Sequence, residues 1–411
     1  MNSLNHAIAS LHIRRSTSHF LRVEPVTRLV QFPTLIEDAN RLIHEFNQRR
    51  YVNLNTVLGL KIPHLAKFTQ NKRSFQMLSM KDESSLKNRY QPKECQFKTP
   101  YGYVAGLEWG KSDAPNKIFC LHGWLDNAGS FERLIPFLLD HEDNSNLYHI
   151  ISIDQPGVGR SSHKPPGGEY TQFTPIIEVR RITQQLNWDK MTLLSHSFGA
   201  HIAFLYSCIY PTQVESLISI DLAQPLTRQA RYWNISIANS IDDYFKCEFH
   251  HEDDPTTNIR VPVYSEVDAI RRLMEGHSAS LTKESAEVML KRGAKKQRWG
   301  YTFTRDMRLR FMAIELRPDD NLMLQFLAEP FHPNLLIIRA NQSPYHRPES
   351  IRLQYYELFK KNCPIFRDVA LDGTHHLHMN NPEVVAPEIN KFLDEVRKTG
   401  LSGLPKNKSN L

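Results

Sequence analysis

From about residue 94 onward, short apolar runs alternate with segments whose apolar residues recur every three or four positions. Lys117–Leu121, Tyr148–Asp154, Met191–Leu194, Val214–Asp221, Asn334–Ala340 and Phe366–Leu371 are short runs and predict buried strands. Ser130–Leu139, Thr174–Leu186, Ser197–Ile209, Glu349–Lys361 and Pro382–Val396 carry the longer period and predict helices. Gln96–Pro100 and Tyr103–Trp109 read as two further strands joined at Tyr101-Gly102. Apolar strands separated by helices suit a mostly parallel sheet covered on both faces, because each connection lays a helix on the sheet. The expected fold class is α/β.

The alternation breaks after Asp221 and resumes at Asn334. Residues 224–330 between them read as mostly helical and polar, with one helix capped by Thr282 and ended at Gly293. A helical insertion between two strands is expected to cover the carboxyl ends of the sheet as a lid, where ligands bind in open α/β sheets. The expected organisation is a core of residues 88–223 and 331–398, a lid of 224–330 and a tail of 399–411.

Charge alters this picture only at the N-terminus. The 411 residues carry a formal charge of +7, which raises the question of nucleic acid. Residues 1–87 hold 13 Lys+Arg against 6 Asp+Glu, and the remainder is balanced. The excess therefore belongs to an N-terminal extension, and nucleic acid is not expected as a partner. Residues 1–23 lack acids and carry Arg14, Arg15 and Arg22, which suits a mitochondrial presequence and a basic tail equally. Leu35–Tyr51 has helical spacing. Five cysteines with no CxxC pair predict free thiols in a reducing, intracellular compartment. The terminal Ser409-Asn410-Leu411 approximates a peroxisomal address with Asn in place of its basic residue. Cytoplasm, mitochondrion and peroxisome all remain open. No run of 18 apolar residues occurs, so no transmembrane helix is expected.

The chemistry centres on Leu194-Ser195-His196-Ser197-Phe198-Gly199. A strand here runs directly into a helix with Ser197 at the corner, a turn so tight that the positions two before and two after must be small. A serine hydroxyl needs a base. His375, in the loop after the last predicted strand, can hang over the same sheet edge, with His376 and His378 as alternatives. The base needs an acid to hold its tautomer. The turn after Asn334–Ala340 reads Asn341-Gln342-Ser343-Pro344-Tyr345-His346 and contains none. Asp221, at the end of the strand before the insertion, is the candidate. Glu349 is another, and capping the insertion is the structural alternative for Asp221. The backbone N–H groups of Trp124 and Phe198 are candidates for an oxyanion hole. His122 and Asp154 read as hydrogen-bonding supports for their turns. Trp299 and Arg305 either shape the binding site or hold the insertion together.

Metal ligands crowd at His375, His376 and His378, where no carboxylate stands at ligand spacing, and at His250-His251-Glu252-Asp253-Asp254, which reads as a solvated loop. No metal is expected. Nor is a nucleotide cofactor, since no phosphate-binding glycine loop precedes a helix. Lys291–Arg298 reads as a solvated basic surface.

The order oxyanion turn, Ser, Asp, insertion, His resembles the α/β-hydrolase superfamily over about residues 94–398. Three stretches are similar to the animal serine hydrolase-like proteins: Gly159-Arg-Ser-Ser-His-Lys-Pro-Pro-Gly, Leu194-Ser-His-Ser-Phe-Gly, and Met289-Leu-Lys-Arg-Gly through Thr304-Arg-Asp-Met-Arg-Leu309. The resemblance implies a serine hydrolase with Ser197 as nucleophile. Family members tend to carry Gly where Ser195 stands, and an Asp in the turn where this chain has His346. The expected activity is esterase-type, carboxylesterase- or lipase-like hydrolysis of a small or lipid-like ester. The alternative is a non-catalytic binding protein that keeps the same site.

Overall fold

The computed structural model describes residues 83–229, 233–248, 262–314 and 317–400. The predicted helix over Leu35–Tyr51, the rest of residues 1–82, the His250–Asp254 run and residues 401–411 lie outside the described residues. A helical stretch over 83–89 leads in, so the boundary placed at residue 87 falls within it. Glu83 accepts from Arg133 through both carboxylate oxygens, at 2.6 and 2.7 Å.

The elements follow in the order β1 (Lys93–Thr99), β2 (Gly102–Gly110), β3 (Asn116–Leu121), α1 (Ile135–Asp140), β4 (Tyr148–Ile153), α2 (Phe173–Gln185), β5 (Met191–His196), α3 (Phe198–Ile209) and β6 (Val214–Ile220). The insertion contains α4 (Trp233–Glu248), α5 (Glu266–Gly276), α6 (Lys283–Gly293), the hairpin β7 (Ala294–Gln297) and β8 (Gly300–Phe303), and α7 (Asp320–Leu327). The chain then returns through β9 (Asn334–Ala340), α8 (Glu349–Asn362), β10 (Phe366–Leu371), α9 (Leu377–Asn380) and α10 (Pro382–Thr399).

Eight strands form one sheet in the order β1-β2-β4-β3-β5-β6-β9-β10. β2 runs antiparallel to β1 and β4, and every other pairing is parallel. Most of β3 and all of β4 and β5 are buried. That is why they read as continuous apolar runs: parallel strands covered on both faces have no polar side. On one face Phe204, Phe331 and Phe359 pack with ring centroids 5.3 to 5.7 Å apart. On the other, Phe131 and Leu134 join Ile389 and Phe392 of α10 in a second apolar cluster. Cys95, Cys120, Cys208 and Cys363 are free thiols, and three of them are buried. No helix of the described residues is long and apolar enough to cross a membrane.

Two expectations need correction, and a third is filled out. The helix predicted over Ser130–Leu139 is two elements, a 3₁₀ turn at Ala128–Phe131 and then α1. Asn127 caps the turn by accepting from Gly129 N–H, and Pro136, which lacks an N–H, fits only in the first turn of α1. The insertion, expected to be mostly helical, also holds a hairpin, since Ala294–Phe303 turns back on itself. Finally, Lys291–Arg298 is not uniformly solvated, since Arg292 is buried.

Arg292 ties the insertion to the core. Its Nη2 donates to Asp154 Oδ2 at 2.6 Å, and its Nη1 donates to Glu94 Oε1 at 2.7 Å. Asp154, at the end of β4, also accepts from the N–H groups of Ala128 and Arg160 at 2.7 and 2.9 Å. Gly159 has φ +60°, and a Cβ there would fall 2.3 Å from the Asp154 carboxyl carbon, so only glycine lets this turn wrap the acid. Asn127 adds a bond to Met289 O at 2.9 Å. Removing one member of a buried ion pair strands the other, at a cost of about 3–5 kcal/mol. Arg292→Met is expected to destabilise by that amount in urea unfolding, with part recovered by Asp154→Asn in the same chain. An unchanged midpoint would show that the pair does not hold the insertion.

Candidate active site

Strand order reverses between β3 and β5, because β4 lies on one side of β3 and β5 on the other. Connections that leave the carboxyl ends of these strands in opposite directions open a crevice between them. Trp124 follows β3, Ser197 follows β5, Asp221 follows β6 and His375 follows β10. All four of these sequence candidates therefore sit at one edge of the sheet.

Ser197 occupies the corner between β5 and α3 with φ +50° and ψ −117°. Its N–H still donates to Ile220 O at 3.0 Å, as a last rung of the sheet, while its carbonyl accepts from Ala200 and His201. A non-glycine residue in this region costs about 1–2 kcal/mol and persists only where its surroundings hold it. The side chain makes no capping bond to α3. Instead its Oγ lies 2.9 Å from His375 Nε2. Gly199 is required by crowding: a Cβ there would fall 2.1 Å from Leu121 O and 2.6 Å from His122 O. Without it, α3 could not start against the end of β3. Ser195 is buried, and its Oγ donates to Ile218 O at 2.9 Å, so its hydroxyl is satisfied within the sheet.

On its other side, His375 Nδ1 lies 2.5 Å from Asp221 Oδ2. Asp221 Oδ1 accepts from Ala340 N–H at 2.9 Å and lies 3.3 Å from His346 Nε2. The residue at the turn position where an acid was absent thus abuts the acid that follows β6. Burial pushes the Asp221 carboxyl up, but the hydrogen bonds it accepts, from His375 first and then from Ser343 and Ala340 N–H, outweigh it, and the net shift is down. Burial also pushes His375 down, and here it prevails over the opposing pull of Asp221. The resting pair is therefore a carboxylate beside a neutral imidazole, with the Nδ1 proton on the Asp221 side and the Nε2 lone pair facing Ser197. Glu349 is exposed and pairs with Arg352 at 3.2 Å, away from His375.

The rings of Trp124 and Phe198 meet edge-on at 5.2 Å. Among the described residues, neither backbone N–H donates to a protein acceptor. Beside them is a narrow hollow lined by Trp124, Pro156, Val158, Tyr170, Phe198 and Leu309. Its free volume is only about 20 Å³, close to the space for one water. A larger groove of about 900 Å³ lies elsewhere, beside Phe137 and α10, away from Ser197.

Behind His375 stands a group that sequence reasoning missed. Asp126, in the turn after β3, is buried, and His196, His277 and His376 surround it. Burial pushes Asp126 up, but the neighbouring imidazoles hold it well below the ordinary carboxylate range. Burial drives His376 down to about 3. His378 is also buried, 2.8 Å from Ser130 Oγ. The carboxylate absent near His376 in sequence is thus supplied by a residue 250 positions earlier. An acid four residues after His122 was the available signal.

The supporting residues sit as follows. His122 Nε2 accepts from Gln155 N–H at 3.0 Å and bridges two turns. Trp299 is 79% exposed at the tip of the β7–β8 hairpin, under the Arg298 guanidinium. Arg305 lies over the Phe303 ring at 5.7 Å. These two contacts serve the insertion itself.

A family model described as alpha/beta hydrolase fold matches residues 116–382. The chain is 32% identical over 305 residues to a "Probable serine hydrolase" of Drosophila melanogaster, covering 74% of this chain and 88% of that protein. It is 29% identical to "Serine hydrolase-like protein 2" of Homo sapiens, covering 73% and 93%. A hypothetical protein of Pseudomonas aeruginosa with a solved structure is 27% identical with a TM-score of 0.62, covering 74% and 99%. A thioesterase domain from the curacin biosynthetic pathway is 20% identical with a TM-score of 0.59, covering 73% and 99%, a likeness of fold.

Proposed function

The chain belongs to the α/β-hydrolase fold family, among the serine hydrolase-like proteins, and on that premise we propose that it is a serine esterase acting through Ser197, His375 and Asp221. The observation that carries this reading is the unbroken chain from Asp221 Oδ2 through His375 to Ser197 Oγ, at 2.5 and 2.9 Å. The neutral imidazole takes the Ser197 proton as Oγ attacks the ester carbonyl. Asp221 keeps the second imidazole proton on Nδ1 and stabilises the imidazolium that forms. The free N–H groups of Trp124 and Phe198 serve as the oxyanion hole, since donors without a protein partner cost no reorganisation. The protonated His375 then delivers its proton to the leaving alkoxide. Water attacks the acyl-enzyme by the reverse sequence and releases the acid.

The insertion acts as a lid. The hollow beside Trp124 and Phe198 is no larger than one water as it stands, so an acyl group enters it only as the insertion shifts, and a short one demands less movement than a long one. A small ester is the substrate class that fits. A fluorophosphonate probe is expected to label Ser197 stoichiometrically, with the site mapped by mass spectrometry. The rate should be constant above about pH 6.5, the ordinary histidine value, because burial places His375 lower still. It should fall once acid protonates His375. Among nitrophenyl esters, acetate and butyrate should exceed palmitate in kcat/KM. Folded protein that neither labels nor turns over any ester would sink the esterase and leave a binding protein.

A further inference from the structure

Asp126 Oδ1 is approached by two imidazole nitrogens, His277 Nε2 at 2.9 Å and His376 Nε2 at 3.5 Å. The opposite nitrogen of each ring fixes its proton. His277 Nδ1 lies 2.7 Å from Leu273 O, a carbonyl that can only accept, so Nδ1 carries a hydrogen. His376 Nδ1 lies 2.6 Å from Ser280 Oγ, whose own hydrogen is given to His277 O. His376 Nδ1 must therefore donate as well. In the neutral rings both Nε2 atoms are then lone pairs pointed at a carboxylate oxygen, which is repulsive unless something positive sits between them. His196 repeats the pattern. Its Nε2 meets His375 O at 3.0 Å, while its Nδ1, fully buried and without a hydrogen-bond partner, lies 3.3 Å from Asp126 Oδ2.

We propose that Asp126, His277 and His376 form a site for a divalent cation of the zinc type, which pins the insertion to the core behind His375. The three donor atoms lie within 4.8 Å of one another. Tetrahedral zinc holds its nitrogen and oxygen ligands about 3.3 Å apart; the two distances to Asp126 Oδ1, 2.9 and 3.5 Å, straddle that value, and the wider spread of the group, up to 4.8 Å, has to close by a side-chain adjustment when the ion binds. Two imidazoles and one carboxylate suit a borderline cation better than calcium or magnesium, which take oxygen ligands. The outer contacts also fit, because metal-bound histidines characteristically donate their second N–H to a carbonyl or similar acceptor. Gly123 N–H likewise steadies Asp126 Oδ2 at 3.2 Å. The ligands come from the turn after β3, the residue after α5 and the loop before α9, so the cation would cross-link the insertion to two parts of the core. This inference does not rest on the esterase reading.

The test is equilibrium dialysis of the full chain against Zn²⁺, followed by elemental analysis. Co²⁺ serves as a spectroscopic substitute. One equivalent is expected per chain, with a tetrahedral Co²⁺ absorption band. Saturating zinc should raise the melting temperature by about 4 °C at a hundredfold excess over Kd. His277→Ala, at the C-terminal end of α5, should weaken binding at least tenfold while keeping its circular dichroism. His376→Gln is a second variant of the same kind, and Ser197→Ala should bind as the native chain does. No stoichiometric binding, or equal binding by the native chain and a folded His277→Ala, would overturn the site and leave protons as the charges shared around Asp126.

Discussion

Ser197→Ala is expected to lower kcat for a short-chain ester by about 10⁶-fold, the loss that follows removal of a serine nucleophile from a triad. What remains should be the contribution of the Trp124 and Phe198 N–H groups and of substrate binding, about 10³–10⁴-fold over water. The structure makes this variant informative because little else depends on the hydroxyl. Ser197 makes no capping bond to α3, and its partner is His375 Nε2. Alanine retains the Cβ and leaves the backbone bonds of the corner in place. Stability should change by less than about 0.5 kcal/mol, as for substitutions that touch no structural contact. Measuring kcat by burst-free initial rates beside a thermal melt separates the two effects. A folded Ser197→Ala that retains a few per cent of activity would mean that the hydroxyl is not the nucleophile.

The next largest effect should come from Asp221→Asn, with kcat reduced by about 10⁴-fold and KM nearly unchanged. The carboxylate accepts from His375 Nδ1 through Oδ2 and from Ala340 N–H through Oδ1. An asparagine can keep only one of these as an acceptor. With its oxygen on Ala340 N–H, its amide donates to His375 Nδ1 and drives the imidazole proton to Nε2. A proton there faces Ser197, and the ring can no longer accept from it. Glu349→Gln provides the contrast, since that side chain is exposed and paired with Arg352, and it should leave kcat as it is. Equal losses in the two variants would remove Asp221 from the triad.

Much of this arrangement could be read from the chain. The buried strands announced themselves as apolar runs, and the tight strand-to-helix corner marked Ser197 because only small neighbours fit there. Asp221 was visible as an acid at a strand end. What no local pattern carries is pairing between distant segments. β6 pairs with β9, Ser216 opposite Asn334, and β9 pairs with β10. That register brings Asp221 to the loop holding His375. His346 gave no hint that it would sit beside Asp221. Asp126 and His376 lie in turns whose own sequences show no ligand spacing, and they meet only because β3 and the last loop share a sheet edge. Arg292 looked like one more cation in a basic run. Its burial depends on Asp154, far away in the chain, and the hairpin of residues 294–303 was hidden by the same charged composition.

The position of the insertion has one more consequence. β6 and β9 are parallel neighbours, so whatever joins them must travel back along the sheet and cannot be a tight turn. Among the inserted elements, α7 is the last before β9 and packs into the core through Met323 and Leu327. The fold asks only for such a crossover. The elements before α7, including the end of α5 that carries His277, are surplus to the topology, and can change in length and composition without altering strand order. If the proposed lid role holds, substrate preference can diverge in α4 to β8 while Ser197, Asp221 and His375 keep their places at the strand ends, as long as the Arg292–Asp154 pair is retained.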